Sequence, residues 1–306
     1  MILEVIRHAF GAVSPPHPRK TLERPPPMTS GFVLTLASSS TPSGALERLL
    51  QSIELPAGAR TLVVPSVAVR QGTGAHPALV ASLLDVLGAR AVLGIPAGTA
   101  QPIRRRWTNL AAGRGVSCLT LGTLGWDRVE LSGDAYMLDE VLLPAELADA
   151  DARIFIPAIG DEPLALGFTR RIVHPHTRLR ARGNANRDRL DAEIASTVTA
   201  RYLLDASRLR GDIPASACFW TADALTAELA GVGLRRLMDS LGGIESVSAW
   251  EHERIQAATE LGQGPAAGKD IVLRAERDGE ASQQIAESLR DELGCRIEWL
   301  EREGAH

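Results

Sequence analysis

The stretch that decides the fold is Leu62–Gly98, which reads LVVPSVAVRQGTGAHPALVASLLDVLGARAVLGIPAG. Two apolar runs, Arg60–Val69 and Ala91–Ile95, are typical of buried strands. Between them, Pro77–Leu87 has apolar residues at helical spacing, and Gly88 follows as the expected C-terminal cap. Because a helix separates two apolar strands, we predict a parallel pair with a right-handed crossover. Ligand-binding loops then belong at the carboxyl ends of these strands.

The same pattern continues along the chain. Apolar runs predict further strands at Phe32–Ala37, Val116–Leu121, Arg128–Leu131 and Arg153–Pro157. Helical spacing predicts helices at Ser43–Ile53, Trp107–Arg114, Pro144–Ala148, Arg187–Leu204, Thr221–Leu241 and Trp250–Leu261. Asp270–Leu300 makes a last β-α-β unit. We therefore predict an α/β fold with a mixed, mainly parallel sheet, helices on both faces and this C-terminal unit.

The prolines divide the chain into an arm and a folded part. Six prolines fall between residues 11 and 30, too many for a helix or a central strand. Residues 1–30 are therefore predicted to be a flexible N-terminal arm, and translation starting at Met28 is an alternative. Residues 31–306 are predicted to form one α/β domain or two joined lobes, about 31–160 and 161–306.

Composition narrows the partners that we expect. The formal net charge is −4, which gives no overall field for holding nucleic acid. No apolar run is long enough to span a bilayer, and the N-terminus lacks the continuous apolar core of a secretion signal. We therefore expect a cytoplasmic protein that binds a small, anionic molecule, without nucleic-acid or membrane partners. A homodimer is left open.

Lysine and cysteine usage narrows the cofactors. Only two of the 33 basic residues are lysines, Lys20 and Lys269, and neither is placed as in a phosphate-binding loop or a pyridoxal site. The three cysteines, Cys118, Cys218 and Cys295, have no C-x-x-C spacing, so they predict reduced thiols rather than a zinc or iron–sulfur site. We expect no cofactor.

Four segments together resemble one protein family. Besides Leu62–Gly98, they are LLPAELADADARIFIPAIGDEPLALGFTRRI (Leu142–Ile172), TADALTAELAGVGLRRLM (Thr221–Met238) and WEHERIQAATELGQGPAAGKDIVLRA (Trp250–Ala275). Their order and spacing resemble the bacterial and archaeal domain of unknown function three hundred and sixty-two family, over roughly residues 32–275. The resemblance matches Asp223 to the first aspartate of the family's DPVAlDa motif and Glu228 to the second.

The departures from that family change what the resemblance implies. Where the family usually has a lysine in its first strand motif, this chain has Val64-Pro65-Ser66. Where the family has a lysine-histidine loop, this chain has Pro157–Glu162. Many members also carry ferredoxin-like cysteine clusters, which this sequence lacks. The electron-transfer role that those members suggest is therefore not expected here.

Two loops predicted at strand ends are candidates for substrate binding. Thr99 follows one strand, and Arg104 and Arg105 come soon after it, where a helix start and guanidinium groups suit a carboxylate or phosphate. A solvated arginine face is the alternative. His76 opens the helix after the other strand and is placed to contact a ligand, or it is a partly exposed helix-start residue.

Carboxylates near arginines supply the candidate acid–base groups. Asp161 and Glu162 follow the Arg153–Pro157 strand, and Arg170 and Arg171 come one loop later. Arginine and burial would push the two carboxyl pKa values apart, as general acid and base chemistry requires. An exposed acidic turn is the alternative.

His174, His176 and Asp223 complete the predicted site. Histidines two apart on an extended segment point to one side and could share a proton relay, although a polar loop is the alternative. No third ligand is visible, so no metal site is predicted. Asp223 is a catalytic candidate, with helix capping as its alternative role.

These residues predict a cofactor-independent enzyme of small-molecule biosynthesis. Isomerisation, elimination or cyclisation of an anionic or carbonyl-bearing substrate is the expected chemistry, because no motif for hydride transfer, a nucleophile elbow or a metal is found. The alternative is a non-catalytic binding or accessory protein that has lost the family's site.

Overall fold

A computed structural model describes nine stretches of the chain: residues 32–57, 60–67, 74–131, 136–159, 164–180, 186–207, 216–241, 247–277 and 279–301. The side chains of residues 178–180 and 241 are outside the description, as is the predicted arm 1–30. Among the described residues, no helix has both the length and the apolar character needed to cross a membrane.

The fold is built on one nine-stranded sheet, and its strands lie in the order β11-β10-β1-β9-β8-β7-β2-β3-β4. Every neighbouring pair is parallel except β1–β9 and β8–β9, so β9 alone runs against the other eight strands. The strands of this sheet are β1 (Phe32–Ser39), β2 (Thr61–Pro65), β3 (Ala91–Ile95), β4 (Ser117–Thr120), β7 (Ala152–Ile156), β8 (Arg201–Ala206), β9 (Ser216–Thr221), β10 (Ile271–Glu276) and β11 (Arg296–Leu300).

Two further strands, β5 (Trp126–Glu130) and β6 (Glu140–Pro144), pair antiparallel as a separate hairpin. The helices are α1 (Pro42–Leu50), α2 (Pro77–Leu87), α3 (Gln101–Ala112), α4 (Ala145–Ala148), α5 (Ala165–Ile172), α6 (Pro175–Arg180), α7 (Arg187–Ala195), α8 (Ala224–Leu241), α9 (Glu253–Glu260) and α10 (Glu280–Leu293). Short 3-10 turns lie at Gly88–Arg90, Ala249–Glu251 and Gly268–Asp270.

Side-chain alternation along the strands places a core on each face of the sheet. On one face, Val63, Leu93 and Ile154 pack with the apolar sides of α1, α2 and α3. On the other, Leu36 and Phe219 pack with residues of α5, α7, α8, α9 and α10, while the β5–β6 hairpin covers the region around Val64. The α/β fold predicted from the sequence, with a mainly parallel sheet, helices on both faces and a C-terminal β-α-β unit, is therefore confirmed.

The central crossover is also as predicted. β2 and β3 are parallel neighbours, and α2 has the predicted bounds and ends at Gly88, whose φ of 58° suits a residue without a side chain. One sheet contains strands from both predicted lobes, because β7 of the first lobe pairs with β2 and with β8 of the second.

The main differences from the sequence prediction lie in the second half of the chain. The helix predicted over Arg187–Leu204 stops at Ala195, and β8 begins at Arg201. Short apolar runs fit a strand and a buried helix equally well, so sequence periodicity could not separate the two. In the first half, α3 begins at Gln101 rather than Trp107, because Pro102 fits the first turn of a helix.

Phe155 tests the packing at the middle of the sheet. This ring is fully buried on β7 and lies 5.3 Å from the Phe168 ring and 5.8 Å from the Tyr202 ring, centroid to centroid. We expect Phe155→Ala to lower the free energy of unfolding by about 3–5 kcal/mol, because it leaves a cavity. Urea unfolding measures this.

The control is Val86→Ala, at a side chain that is 51% exposed on α2. It should change the free energy by less than about 0.5 kcal/mol. Equal effects of the two substitutions would contradict the described core.

Candidate functional site

The parallel strands begin along one side of the sheet, which we call the amino edge, and end along the opposite side, the carboxyl edge. The predicted site residues lie at these two edges and on one face of the sheet. The loops after β2, β3 and β7 begin at the same edge, the carboxyl edge, because these strands are parallel neighbours. This is where sequence reasoning expected a ligand. Asp161 and Glu162, which follow β7, lie outside the described residues.

At the carboxyl edge, His76 is joined to an aspartate that the sequence analysis did not select. The backbone N–H of His76 donates to Oδ2 of buried Asp205 at the end of β8, and the backbone N–H of Ser207 donates to Oδ1 at 2.9 Å. The imidazole Nδ1 of His76 accepts from the Ala78 N–H at 3.2 Å and so caps α2. His76 is therefore where the sequence predicted, at the start of a helix beyond a strand.

The arginines of α3 also start from this edge. Arg104 Nη2 donates to the backbone carbonyl of Thr99 at 3.1 Å, while the Thr99 hydroxyl donates to the carbonyl of Pro96 at 2.7 Å. Both hydrogen bonds are therefore made within the loop that follows β3 and the first turn of α3. The Arg105 side chain is exposed, as the solvated-face alternative expects.

Arg170 belongs to a buried charge cluster formed by side chains of the helices α5, α7, α8 and α9. Its Nη1 lies 3.2 Å from Oδ1 of Asp191 on α7, and Arg254 Nε on α9 lies 3.4 Å from Oδ2 of the same carboxylate. Neither contact has hydrogen-bond geometry. Arg254 also pairs with Glu228 on α8 at 3.0 Å and with Asp188 at 2.8 Å.

Glu228 completes this cluster by accepting the Leu166 N–H at the start of α5, at 2.9 Å. Glu228, the residue at the position that resembles the family's second aspartate, thus links α8 to both α5 and α9. Arg171, next to Arg170, is half-buried.

The histidine pair lies against the β5–β6 hairpin. The His174 ring packs edge-on against the Trp126 ring, with centroids 4.8 Å apart. The backbone N–H of His174 donates to the Leu142 carbonyl at 3.0 Å. Its Nδ1 accepts from the His176 N–H at 3.1 Å, so it caps α6 as His76 caps α2. The His176 side chain is exposed. In the described part of the chain, no three His, Cys, Asp or Glu side chains are grouped as metal ligands would be.

Asp223 lies at the opposite edge, because β9 runs against the other strands. Its Oδ1 accepts from both the N–H and the hydroxyl of Thr226, each at 2.7 Å, which makes it the cap of α8. The capping role was the alternative that the sequence left open. Asp223 as a whole is partly exposed, although its carboxyl group is largely buried.

A cleft of about 580 Å³ opens beside Asp223 at this amino edge. Its floor comes from the sheet, at Val33, Thr35 and Trp220, and its wall from the turn Gln51–Glu54 that follows α1. Arg201 and Arg274 line the same cleft. The lining mixes apolar residues such as Val33, Ile53 and Trp220 with polar and charged ones, including Glu54. A concave site of this size has the dimensions of a small-molecule site.

The charged groups of the cleft differ in pKa, in pairing and in exposure. Burial raises the pKa of Asp223, and the hydrogen bonds from Thr226 oppose that rise only in part. Arg274 Nε is paired with Glu298 Oε2 at 3.0 Å, and both side chains are about half exposed. Arg201, at the start of β8, is exposed. The cleft thus combines a carboxyl group of raised pKa at Asp223 with a second carboxyl group, Glu54, and two guanidinium groups.

The fold defines an α/β protein with a mixed nine-stranded sheet and a charged cleft at the amino edge. Comparison of the chain with models of protein families, with curated proteins and with solved structures gives no match in any of the three. The resemblance drawn from the sequence therefore stays a prediction.

Arg201, Trp220 and Arg274 were not selected from the sequence. Arg201 was hidden because its segment was assigned to a helix. A signal did exist for Arg274: a charged side chain within the otherwise apolar run that begins at Ile271 indicates a strand with one open face. Nothing in the sequence indicates that the two arginines share a cleft.

His174 tests whether capping explains the histidine cluster. We expect His174→Ala to lower the free energy of unfolding by about 0.5–2 kcal/mol, since α6 loses its cap. His174→Asn should recover most of that loss, because Asn also accepts the N–H. Chemical denaturation measures both variants.

His176→Ala is the matched control, and it should change stability by less than about 0.5 kcal/mol because this side chain is exposed. Equal losses for the Ala and Asn variants of His174 would reject the capping role.

The raised pKa of Asp191 predicts that the free energy of unfolding depends on pH. Burial raises the pKa of Asp191 to about 6, against the lowering effect of Arg170, Arg254 and Arg187. Between about pH 4 and pH 6, the folded protein keeps a proton that the unfolded chain has released. The contribution of this carboxyl group to stability therefore falls as pH rises through that window, by up to about 3 kcal/mol.

Urea unfolding at several pH values, compared between the wild-type protein and Asp191→Asn, isolates this contribution. The wild-type protein should lose stability relative to the variant as pH rises from 4 to 6. A constant difference across the window would refute the assignment.

Proposed function

We propose that the protein is an enzyme that uses acid–base chemistry on a small anionic or carbonyl-bearing molecule, bound in the amino-edge cleft. The observation that carries the proposal is Asp223, a partly exposed residue whose carboxyl pKa is raised by burial and which lines the cleft together with Arg201 and Arg274. A titratable group perturbed by its surroundings and placed in a concave site is a reasoned candidate for catalysis.

The proposed roles follow from charge. As the base, the Asp223 carboxylate takes a proton from a carbon next to the substrate carbonyl, and the electron pair of the broken C–H bond moves to the carbonyl oxygen. A guanidinium group stabilises the negative charge that develops there. Return of the proton to a different carbon gives an isomer, and loss of a group from the neighbouring carbon gives an elimination product.

A pKa above the usual range of a carboxyl group suits both halves of this cycle. Such a group is a stronger base than an aspartate of ordinary pKa, and once protonated it can return the proton to the substrate. The Thr226 hydrogen bonds hold one carboxyl oxygen in a fixed position, which would orient the other oxygen. No cofactor enters this scheme.

A non-catalytic binding protein is the second candidate, and one observation favours it. Oδ1 of Asp223 is engaged in capping α8, and Gly264 lies so close that an added Cβ would be 2.7 Å from that oxygen. An aspartate fixed in this way is also consistent with a purely structural role.

Hydrogen exchange into a bound ligand separates the two candidates. Small carboxylates, keto acids and phosphates are first screened by thermal shift, and each binder is then incubated with the protein in D2O and followed by NMR. We expect deuterium to enter at the carbon next to the carbonyl, with Asp223→Asn slowing exchange at least about 100-fold. Binding of the ligand should change much less.

Arg296→Gln is the matched control, because it removes an exposed arginine of β11 that does not line the cleft. It should leave both binding and exchange unchanged. Binders that exchange no hydrogen with the wild-type protein would favour the binding protein, and a screen in which Asp223→Asn exchanges as fast as the wild type would overturn the catalytic role of Asp223.

A further inference from the structure

We infer that the outer side of β11, the side away from β10, is a contact surface for a second copy of this chain, paired antiparallel about a two-fold axis at Ile297. Among the described residues, β11 has only β10 as a strand neighbour and is the last strand of the nine-stranded sheet. Such a strand presents backbone N–H and C=O groups that can pair with a further strand. Neither Arg296 nor Ile297 lines the amino-edge cleft, so this inference is independent of the proposed function.

The backbone of β11 shows which residues turn these groups to the outer side. The N–H of Arg277 donates to the carbonyl of Leu300 at 3.5 Å, so the backbone groups of Leu300 point towards β10. Along a strand, the backbone groups of successive residues point alternately to its two sides. The N–H and C=O groups of Ile297 and Trp299 therefore point to the outer side.

The order of charges in β11 fits a reversed copy of the same strand. Arg296 and Glu298 flank Ile297, and the two charges exchange places when the strand is reversed. If Ile297 lies opposite Ile297 of the partner subunit, Arg296 lies opposite Glu298 of the partner subunit, and symmetry repeats the pair. Residues directly opposite each other point to the same face and interact, so the dimer gains opposite-charge pairs across its axis.

The exposure of the side chains is compatible with this pairing. Arg296 and Glu298 are exposed, and Glu298 contacts Arg274 through Oε2 with half of its side chain open to solvent. A carboxylate can accept from more than one donor, so the pair with Arg274 can persist in the dimer. On the other face, Ile297 and Trp299 are only partly buried against the core, and pairing would remove more of their apolar surface from water.

Alternative pairings lack this complementarity. A two-fold axis at Glu298 would place two carboxylates opposite each other, which destabilises a strand pair. At the other end of the sheet, β4 (Ser117–Thr120) contains no charged residue that could fix a register. Since two-fold dimers are the commonest homo-oligomers, a second copy paired through β11 is the partner that these observations favour.

Sedimentation of the full chain over a range of concentrations tests the inference. A contact through one strand of each copy is smaller than a standard interface of roughly 1,600 Å², so we expect a reversible equilibrium of monomer and dimer. A protein that stays monomeric up to roughly 1 mM would overturn the inference, because even an affinity of about 4 kcal/mol gives dimers there.

Charge reversal tests the register. Arg296→Glu and Glu298→Arg should each weaken dimerisation at least about fivefold, because each places like charges opposite each other twice in the dimer. The double variant Arg296→Glu/Glu298→Arg restores the opposite-charge pairs and should recover most of the affinity. Arg105→Glu is the control, since it makes the same change of charge at an exposed residue of α3, and it should leave dimerisation unchanged. A double variant no better than the single ones would reject the register.

An engineered disulfide tests the same register by distance. The Cα atoms of two residues facing each other on the axis are roughly 5.5 Å apart, within the range of about 4.4–6.8 Å that a disulfide requires. Ile297→Cys should therefore form a disulfide-linked dimer on mild oxidation. Leu300→Cys is the matched control, because two residues each three positions from the axis are roughly 20 Å apart. Linkage of both variants to the same extent would contradict the pairing at Ile297.

Discussion

The antiparallel pairing of β9 between β1 and β8 is the constraint on which the amino-edge cleft depends. All other neighbours in the sheet are parallel, so the turns that follow those strands fall at the carboxyl edge. Because β9 runs the other way, the residues that follow it emerge at the amino edge. This reversal brings Asp223 beside the starts of β1 and β8, and it places Trp220 on the floor of the cleft.

Buried carboxylates recur in the structure, and two of them stabilise loops by accepting hydrogen bonds from backbone N–H groups. Glu146 accepts the N–H groups of Gly122 and Leu124, both at 2.9 Å. Glu193 accepts those of Met137 and Leu138, at 2.9 and 3.0 Å. A buried charge is costly unless it is hydrogen-bonded, and backbone N–H groups of irregular segments have the complementary need. Glu146 and Glu193 therefore have a structural role, although each is an acidic residue within a helix.

The histidines show why residue type alone was a weak guide to the site. His76, His174 and His252 all accept a backbone N–H at Nδ1 at the start of a helix. The sequence placed His174 in the candidate site because imidazole is a common acid–base group, and it placed His76 there because this residue opens a helix beyond a strand end. Its second property, a ring nitrogen that can cap a helix, accounts for all three positions. Neighbouring prolines, as in His76-Pro77 and His174-Pro175, are typical of a first helical turn.

Local sequence determined the central crossover and the alternation of strands and helices. Pro77–Leu87 has a clear helical period with one buried side, and Ala91–Ile95 is a continuous buried apolar run, so the pattern carries enough information. The candidate Arg170 shows the limit of this reasoning. Its partner Asp191 lies on another helix, and sequence spacing says nothing about which helices pack together.

The sequence by itself determined the fold class and, for α2 and β3, the residues at which the element begins and ends, because these depend on nearest-neighbour propensity and on the pattern of apolar side chains. Only the tertiary structure decided that β9 is reversed and that Arg201, Asp223 and Arg274 share one cleft. Strand direction and order follow from pairing between segments distant in the chain, and such long-range contacts leave no local pattern in the sequence.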